Sequence, residues 1–94
     1  MVIARWNGQI IAQSDETIVV ERNHYFPRAA VNDDYLISSN KTSSCPWKGV
    51  ASYFSIKVGE DINEEAAWIY PETRRAAKEI EGMVAFWRGV EIID

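Results

Sequence analysis

Four side chains with reactive groups lie in two short segments of the sequence. Glu21 and His24 stand three residues apart in the first segment, and Cys45 and Lys48 stand three residues apart in the second. A nearby cation such as Lys48 favours the nucleophilic thiolate of a cysteine, and a histidine can serve as the base. A reaction centre would need a fold that brings the two segments together, so the catalytic residues stay unknown at this point.

Each of these residues also has an ordinary structural role. A free cysteine is usually a small buried hydrophobic residue, and this role is favoured for Cys45 because no complete set of catalytic partners is visible. His24 is expected to be a hydrogen-bonded structural residue, and Glu21 either ends a strand in solvent or pairs with a cation such as Lys48. Lys48 either holds an anionic group or covers Trp47 with its alkyl stem, and the sequence favours neither.

Aromatic residues make up 12% of the chain, with four Trp and four Tyr. Most are expected in the core, because aromatic rings bury a large area with few residues. The six that could line a pocket are Trp6, Trp47, Trp68, Trp87, Tyr53 and Tyr70. Trp47 is the one expected at a site, because Pro and Gly flank its loop and loops often carry function. The candidate ligand-binding residues are Glu21, His24, Trp47, Lys48 and Tyr53, with Cys45 as a candidate reactive thiol.

Length and charge limit the classes of protein that fit. The chain of 94 residues predicts a single domain, residues 1–94. The net charge is -4, and Lys and Arg do not cluster, so we expect no nucleic-acid partner and no membrane surface as partner. The sequence does not indicate an oligomeric state.

Cysteine and histidine counts limit the chemistry further. One Cys and one His provide neither an internal disulfide nor a Cys/His zinc site. The acidic residues stand in pairs between apolar stretches, as expected for solvated turns, so we expect no metal and no cofactor. No apolar run approaches the roughly 20 residues that span a bilayer, and no secretory signal begins the chain, so the expected location is cytoplasmic.

The pattern of apolar residues and turns predicts an α+β fold that is mainly antiparallel β. Asn7-Gly8 predicts a tight hairpin between residues 2–6 and 9–14, with residues 17–22 as the third strand of a meander. Residues 29–35 are expected to hold a single helical turn, and residues 38–44 are expected to form a polar loop. Further strands are predicted at 51–58, 66–70 and 83–87, with 90–93 returning beside 83–87. The one predicted helix, residues 73–82, would begin at Thr73 and end at Gly82.

Motifs along the chain resemble one known family nearly end to end. They are Trp6-Asn7-Gly8, residues 21–27 (Glu-Arg-Asn-His-Tyr-Phe-Pro), Cys45-Pro46-Trp47-Lys48-Gly49, Ala67-Trp68-Ile69-Tyr70-Pro71 and Ala85-Phe86-Trp87. The sequence resembles the family catalogued as domain of unknown function 427, and the Cys-Pro-Trp-Lys-Gly motif is the most specific of the set.

The resemblance implies a β-rich fold similar to the Mss4-like group of folded sheets. The family sometimes carries a nucleotidyltransferase-like label, but no Gly-rich phosphate loop or paired-carboxylate motif is present here. The chain also departs from the family pattern, with Arg22 where Gly is frequent and Thr73 where a second Pro is frequent. The wider fold group binds zinc through Cys-x-x-Cys pairs, which are missing here, so the resemblance carries no metal over to this chain.

Three functions remain open at this stage. The first is a binding module that holds a small polar or anionic ligand in an aromatic-lined pocket with Glu21, Trp47, Lys48 and Tyr53. The second is a small enzyme that uses Cys45 or Glu21 as the reacting group, and the third is a protein-interaction adaptor. Binding is preferred, because the sequence contains no complete catalytic set.

Overall fold

Nine β-strands in antiparallel pairs make up the computed structural model, which describes residues 1–94. They are β1 (Val2–Trp6), β2 (Gln9–Ser14), β3 (Ile18–Val20), β4 (Asn23–Tyr25), β5 (Leu36–Cys45), β6 (Gly49–Val58), β7 (Asp61–Ile69), β8 (Val84–Phe86) and β9 (Glu91–Ile93). Their orders are β2-β1-β9 in one sheet, β3-β4 in a second and β5-β6-β7-β8 in a third. The predicted mainly antiparallel β fold is therefore confirmed. None of the helical segments has the length and hydrophobicity that spanning a bilayer requires.

The first hairpin forms as its turn predicts. β1 and β2 pair around Asn7 and Gly8, which have φ angles of 52° and 77°. Both residues tolerate positive φ, and this conformation matches the right-handed twist of the flanking strands. Local turn chemistry alone is enough to specify this part of the fold.

The predicted three-stranded meander is wrong, because β3 pairs with β4 and not with β2. The chain reverses direction at a turn formed by Glu21 and Arg22, so that β4 runs antiparallel to β3. Two backbone hydrogen bonds between Phe26 and Val84, of 2.7 and 2.9 Å, then hold this small hairpin beside β8. The third position beside β1 is taken by β9, which therefore does not return beside β8 as predicted.

The polar segment predicted as a loop is a strand. β5 runs from Leu36 to Cys45 and pairs with β6 at the edge of the four-stranded sheet. An edge strand has one neighbour and much contact with water, so Ser, Thr, Asn and Lys can fill it without apolar alternation. Only residues 46–48 connect β5 to β6.

The predicted α-helix at residues 73–82 is also wrong. The structure has 3₁₀ turns at Arg75–Ile80, interrupted at Ala77, where φ is -116° and ψ is 20°. Tertiary hydrogen bonds hold both ends of the segment, since the N–H of Arg74 donates to the Lys48 carbonyl at 3.0 Å and the N–H of Gly82 donates to the Tyr70 carbonyl at 2.9 Å. These contacts override helix propensity here. Two other 3₁₀ helices, Arg28–Ala30 and Asp33–Tyr35, occupy the region where the sequence predicts one helical turn. The Mss4-like arrangement stays a prediction.

Buried side chains form two separate clusters. The larger cluster joins the three-stranded sheet to the four-stranded sheet and includes Ile11, Phe26, Ile56 and Val84. The smaller cluster contains Tyr25, Ala51, Tyr70, Ala77, Ile80 and Ala85. The small hairpin, the β5–β6 turn and the 3₁₀ segment pack around this smaller cluster, where the candidate site also lies.

Gly49 allows the β5–β6 turn to approach the segment that follows β7. Its φ is +125°, and a Cβ atom built there would lie 3.0 Å from the carbonyl oxygen of Glu72. The adjacent Lys48 carbonyl accepts a hydrogen bond of 3.0 Å from the N–H of Arg74. Because Gly49 has no side chain, the two segments can approach this closely, and their contact fixes the backbone position of Lys48.

We predict that Gly49→Ala destabilises the protein more than Gly59→Ala does. Both substitutions meet a positive φ, but a methyl group at Gly59 would have nothing within 4 Å, whereas one at Gly49 would face a backbone carbonyl. The control should cost about 1 kcal/mol and Gly49→Ala about 2–4 kcal/mol of unfolding free energy. Urea denaturation measures both, and equal costs would contradict the close approach.

Candidate functional site

A cavity of about 280 Å³ opens between the small hairpin and the four-stranded sheet. Five of its lining residues are aromatic, and the other two are an asparagine and a lysine. The lining residues are Asn23, Tyr25, Lys48, Tyr53, Trp68, Tyr70 and Trp87. They come from β4, the β5–β6 turn, β6, β7 and the residues just after β7 and β8.

Strand register explains how the aromatic side chains come together. Tyr53 and Trp68 are directly paired residues of β6 and β7, and Trp68 is in turn paired with Ala85 of β8. The small side chain of Ala85 leaves room on this face, and Trp87 stands two residues further on. The rings of Trp68 and Trp87 meet at a centroid distance of 5.8 Å and an angle of 79°. Cross-strand pairs of this kind bring side chains on one sheet face into contact.

Lys48 is the one charged residue in the cavity wall, and only 7% of its surface is exposed. Its ammonium group pairs with the carboxylate of Glu21. It also lies 4.9 Å from the centre of the Trp47 ring and 5.8 Å from that of Tyr70. Burial acts to lower the pKa of Lys48, but the hydrogen bond to Glu21 and the nearby Tyr70 and Tyr25 outweigh it, so the pKa is raised. Lys48 is therefore charged at neutral pH.

Glu21 reaches Lys48 from an unusual backbone conformation. Glu21 and Arg22 form the turn between β3 and β4 with φ angles of 52° and 69°. Neither residue is Gly or Asn, the types that adopt this region most readily. Left-handed conformation costs non-glycine residues roughly 1–2 kcal/mol each. Arg22 therefore adopts a positive φ angle, although the family resemblance leads one to expect Gly at this position.

Two tyrosine hydroxyls in the cavity have hydrogen-bonding capacity that the protein does not use. Tyr25 is 1% exposed, and its hydroxyl accepts a bond of 3.2 Å from the indole N–H of Trp68 but donates to no protein atom. Tyr70 is 6% exposed, and its hydroxyl has no protein partner. Every inaccessible polar side-chain atom has a partner, so the unpartnered Tyr70 hydroxyl is accessible, and Tyr70 lines the cavity.

Burial raises the pKa of both tyrosines above the ordinary value, although Trp68 and Lys48 partly oppose the effect at Tyr25 and Lys48 partly opposes it at Tyr70. Both hydroxyls therefore keep their protons at neutral pH. They can act as hydrogen-bond donors toward anything that enters the cavity.

The remaining polar groups of the aromatic walls are already bonded within the protein. The indole N–H of Trp87 donates to the carbonyl of Glu65 at 2.6 Å, and the Tyr53 hydroxyl bonds Ser43 at 2.9 Å. With the Trp68 N–H bound to Tyr25, the two Trp residues and Tyr53 present mainly ring surface to the cavity. The donors left for a ligand are those of Lys48, Tyr25 and Tyr70, with the Asn23 amide beside them.

Two further cations lie against the aromatic walls. The Lys41 ammonium is 5.2 Å from the centre of the Tyr53 ring, and the Arg88 guanidinium is 4.6 Å from that of Trp87. Arg88 also donates to the Glu64 carbonyl at 2.9 Å. Arg88 and Lys48 each have a carboxylate nearby, Glu65 at 3.9 Å and Glu21 respectively, so Lys41 is the cation of the three without an ion-pair partner.

Cys45 is half-buried at the start of the turn that carries Lys48, and it packs against the smaller core cluster. Partial burial acts to raise the pKa of its thiol. Hydrogen bonds from the backbone N–H groups of Trp47 and Lys48 and the charge of Lys48 outweigh this effect, so the pKa is lowered from its ordinary value. The turn thus favours a thiolate, which is the reactive form of cysteine.

The structure brings most of the residues singled out in the sequence to one region. Lys48 and Tyr53 line the cavity, Glu21 pairs with Lys48, and Trp47, which is 39% exposed, contacts Lys48 with its ring. His24 is different, because it follows Asn23 on β4 and points to the other face. Its Nδ1 atom hydrogen-bonds the Thr17 hydroxyl at 2.8 Å.

Asn23 and Tyr25 are cavity residues that the sequence does not single out. The signal that could have found them is the two-residue period of a strand, which places both on one face of β4 and His24 on the other. That signal requires knowledge that residues 23–25 form a strand paired with β3. The prediction of one strand over residues 17–22 conceals it.

A second, more open hollow of about 480 Å³ lies on the far side of Gly49. Its lining includes Ser52, Glu72, Thr73 and Arg74, and only one of its seven residues is hydrophobic. No group of three or more His, Cys, Asp or Glu side chains is arranged to hold a metal ion anywhere in the chain. The aromatic-lined cavity is therefore the better candidate for a site.

Fold and cavity together define a small, mainly antiparallel β domain with a buried lysine in the wall of an aromatic-lined pocket. The sequence model of the family described as a domain of unknown function (DUF427) matches residues 1–93. The chain belongs to this family, as its motifs predict. A search of curated proteins found no match.

We predict that Glu21→Ala destabilises the protein more than Lys48→Met does. The side chain of Lys48 is 8% exposed and that of Glu21 is 54% exposed, so the carboxylate can return to water while the ammonium cannot. Loss of Glu21 should lower the free energy of unfolding by about 1–3 kcal/mol. Breaking a fully buried pair costs more, about 3–5 kcal/mol. Loss of Lys48 should cost less than about 1 kcal/mol, because Met keeps the apolar stem.

Chemical denaturation of both variants provides the measurement. The control is Glu91→Ala, which removes a pair between Arg5 and Glu91 whose side chains are 44% and 61% exposed, and its effect should be within about 0.5 kcal/mol. If Lys48→Met lowers the free energy of unfolding more than Glu21→Ala does, the prediction is contradicted. The carboxylate would then be the group that is more costly to leave without its partner.

We predict that alkylation of Cys45 follows a pH profile with a midpoint below that of a free cysteine peptide, about 8.5. The turn N–H groups and Lys48 lower the pKa of the thiol, so more thiolate is present at pH 7 than in the peptide. Lys48→Met should move the midpoint upward, because it removes the positive charge. A midpoint at or above that of the peptide in the parent protein would show that partial burial dominates.

Proposed function

We propose that this chain is a small-molecule-binding module that holds a polar or anionic ligand in the aromatic-lined cavity. One observation carries the proposal. Three residues whose donors keep free hydrogen-bonding capacity, Lys48, Tyr25 and Tyr70, line a single cavity. Binding pockets commonly combine apolar walls with a few convergent polar groups of this kind.

The tyrosine hydroxyls support binding more strongly than a structural role. The Tyr70 hydroxyl bonds no protein atom, and because no inaccessible polar atom lacks a partner, it is open to solvent. Phe in place of Tyr70 would fill the same space, so packing of the free protein does not require the hydroxyl. An incoming acceptor would give this hydroxyl a partner, which favours a role in binding.

The charges around the cavity favour an anion over a cation. Aromatic rings attract cations, but here the rings of Tyr53 and Trp87 already hold Lys41 and Arg88. Lys48 adds positive charge in the wall itself. Glu21 and Glu65 offset part of the charge of Lys48 and Arg88, but the cavity lining contains hydrogen-bond donors and no carboxylate, which suits an anionic or acceptor-rich ligand.

A second candidate function is a small enzyme that uses Cys45 or Glu21 as the reacting group. The lowered pKa of Cys45 and its position beside the Lys48 turn favour this candidate. His24 does not supply a base, because it faces away from the cavity. Cys45→Ser separates the two functions, since a binding module should keep its ligand affinity and an enzyme with a thiol nucleophile should lose its activity.

The experiment that tests the binding proposal compares Tyr70→Phe with the parent protein. Thermal unfolding is measured alone and with a panel of metabolites rich in carboxylates and phosphates. The substitution should change the stability of the free protein by less than about 0.5 kcal/mol. It should weaken binding of the hits about tenfold or more, because a hydrogen bond to a charged group contributes about 1.5–3 kcal/mol.

The matched control is Tyr35→Phe, which removes an exposed hydroxyl that bonds Gln9 at 3.2 Å and lies outside the cavity. It should leave every thermal shift unchanged. Hits that stabilise the parent protein and both variants equally would locate binding outside the cavity. A panel without hits would count against a module for small anionic ligands.

A further inference from the structure

We infer that the ligand is a flat aromatic ring, single or fused, that carries one carboxylate. This inference rests on the proposed function and specifies its ligand class. The carboxylate would meet Lys48, Tyr25 and Tyr70, and the ring would lie against Trp68 and Trp87. The charge of the cavity, the number of its donors and the shape of its walls each support this class of ligand.

A single negative charge fits the site better than two. Lys48 is the only charged residue lining the cavity, and Glu21 already pairs with it. A dianion such as a phosphate monoester would bring its second charge close to Glu21. Phosphate sites usually add arginines or several free backbone N–H groups. The cavity has no arginine in its lining, and Lys48 is its one cation.

The donors match a carboxylate in number. A carboxylate has two oxygens with about four lone-pair positions. Tyr25 and Tyr70 each have a proton without an acceptor, and the ammonium of Lys48 has two protons beyond the one directed at Glu21. A ligand carboxylate can thus accept from both hydroxyls and from Lys48 without breaking the ion pair to Glu21.

The walls favour a flat body. Trp68 meets Trp87 at 79° and Tyr25 at 86°, so neighbouring rings stand nearly perpendicular. A corner of this kind offers one ring face for stacking and the edge of another for a T-shaped contact, both of which suit a planar aromatic ligand. The volume of about 280 Å³ lies just below the range of about 300–1,000 Å³ typical of sites for drug-sized molecules. One ring or two fused rings therefore match the space.

Four probes of nearly equal size test the ligand class by calorimetric titration. They are naphthalene-2-carboxylate, its saturated decahydronaphthalene counterpart, naphthalene-2-carboxamide and 2-naphthyl phosphate. The saturated acid removes the flat ring, the amide removes the charge, and the phosphate doubles the charge. We expect naphthalene-2-carboxylate to bind at least tenfold more tightly than each of the other three, with quenching of tryptophan fluorescence.

The same variants locate the binding. Tyr70→Phe should weaken naphthalene-2-carboxylate about tenfold, and Tyr35→Phe should leave its affinity unchanged. If the phosphate or the saturated acid binds as tightly and depends equally on Tyr70, the aromatic-carboxylate inference fails and the binding function stands. If naphthalene-2-carboxylate does not bind but panel metabolites bind in a way that depends on Tyr70, the aromatic-carboxylate inference also fails and the binding function stands. If no probe and no metabolite depends on Tyr70, the inference and the proposed function both fail.

Discussion

An ammonium group held away from water needs compensation, and the region around Lys48 is organised to provide it. Glu21 supplies the opposite charge from 27 residues earlier in the chain, and Trp47 and Tyr70 supply ring faces. The small β3–β4 hairpin must therefore dock against the β5–β6 turn, and the end of β7 must reach the same place. The cavity is the space that remains between these segments once the ammonium is satisfied.

The backbone bears costs that make this arrangement possible. The β3–β4 turn has positive φ angles at Glu21 and Arg22, a conformation that Asn and Gly adopt at lower energy. Glu21 nevertheless occupies this turn, and its carboxylate pairs with Lys48. Gly49 accepts a close backbone approach that a side chain would obstruct. Strained conformations tend to persist where the surrounding structure requires them, often at functional sites. Here both special positions support the same lysine, one through its counter-charge and one through its backbone.

Sequence patterns predict the parts of this fold that depend on local chemistry. Asn7-Gly8 specifies the first hairpin, and the need of a buried lysine for a carboxylate places Glu21 among the partners expected for Lys48. The failures occur where tertiary contacts decide the outcome. β5 resembles a loop in sequence because an edge strand needs no apolar alternation. Residues 73–82 resemble a helix, but tertiary hydrogen bonds at Arg74 and Gly82 hold both ends of the segment, which forms 3₁₀ turns. The common face of residues 23 and 25 is hidden in the sequence because it depends on the pairing of β4 with β3.

The pairing of β1 with β9 also affects the order of events during synthesis. The first sheet acquires its third strand only when residues 91–93 can reach Ile3, Ala4 and Arg5. A chain emerging from the ribosome would thus expose one side of β1 until this segment has been translated. Contacts between such distant residues slow folding, often to milliseconds or seconds in β-rich domains. The interval in which an unpaired strand edge can meet a neighbouring nascent chain is therefore set by the arrival of β9.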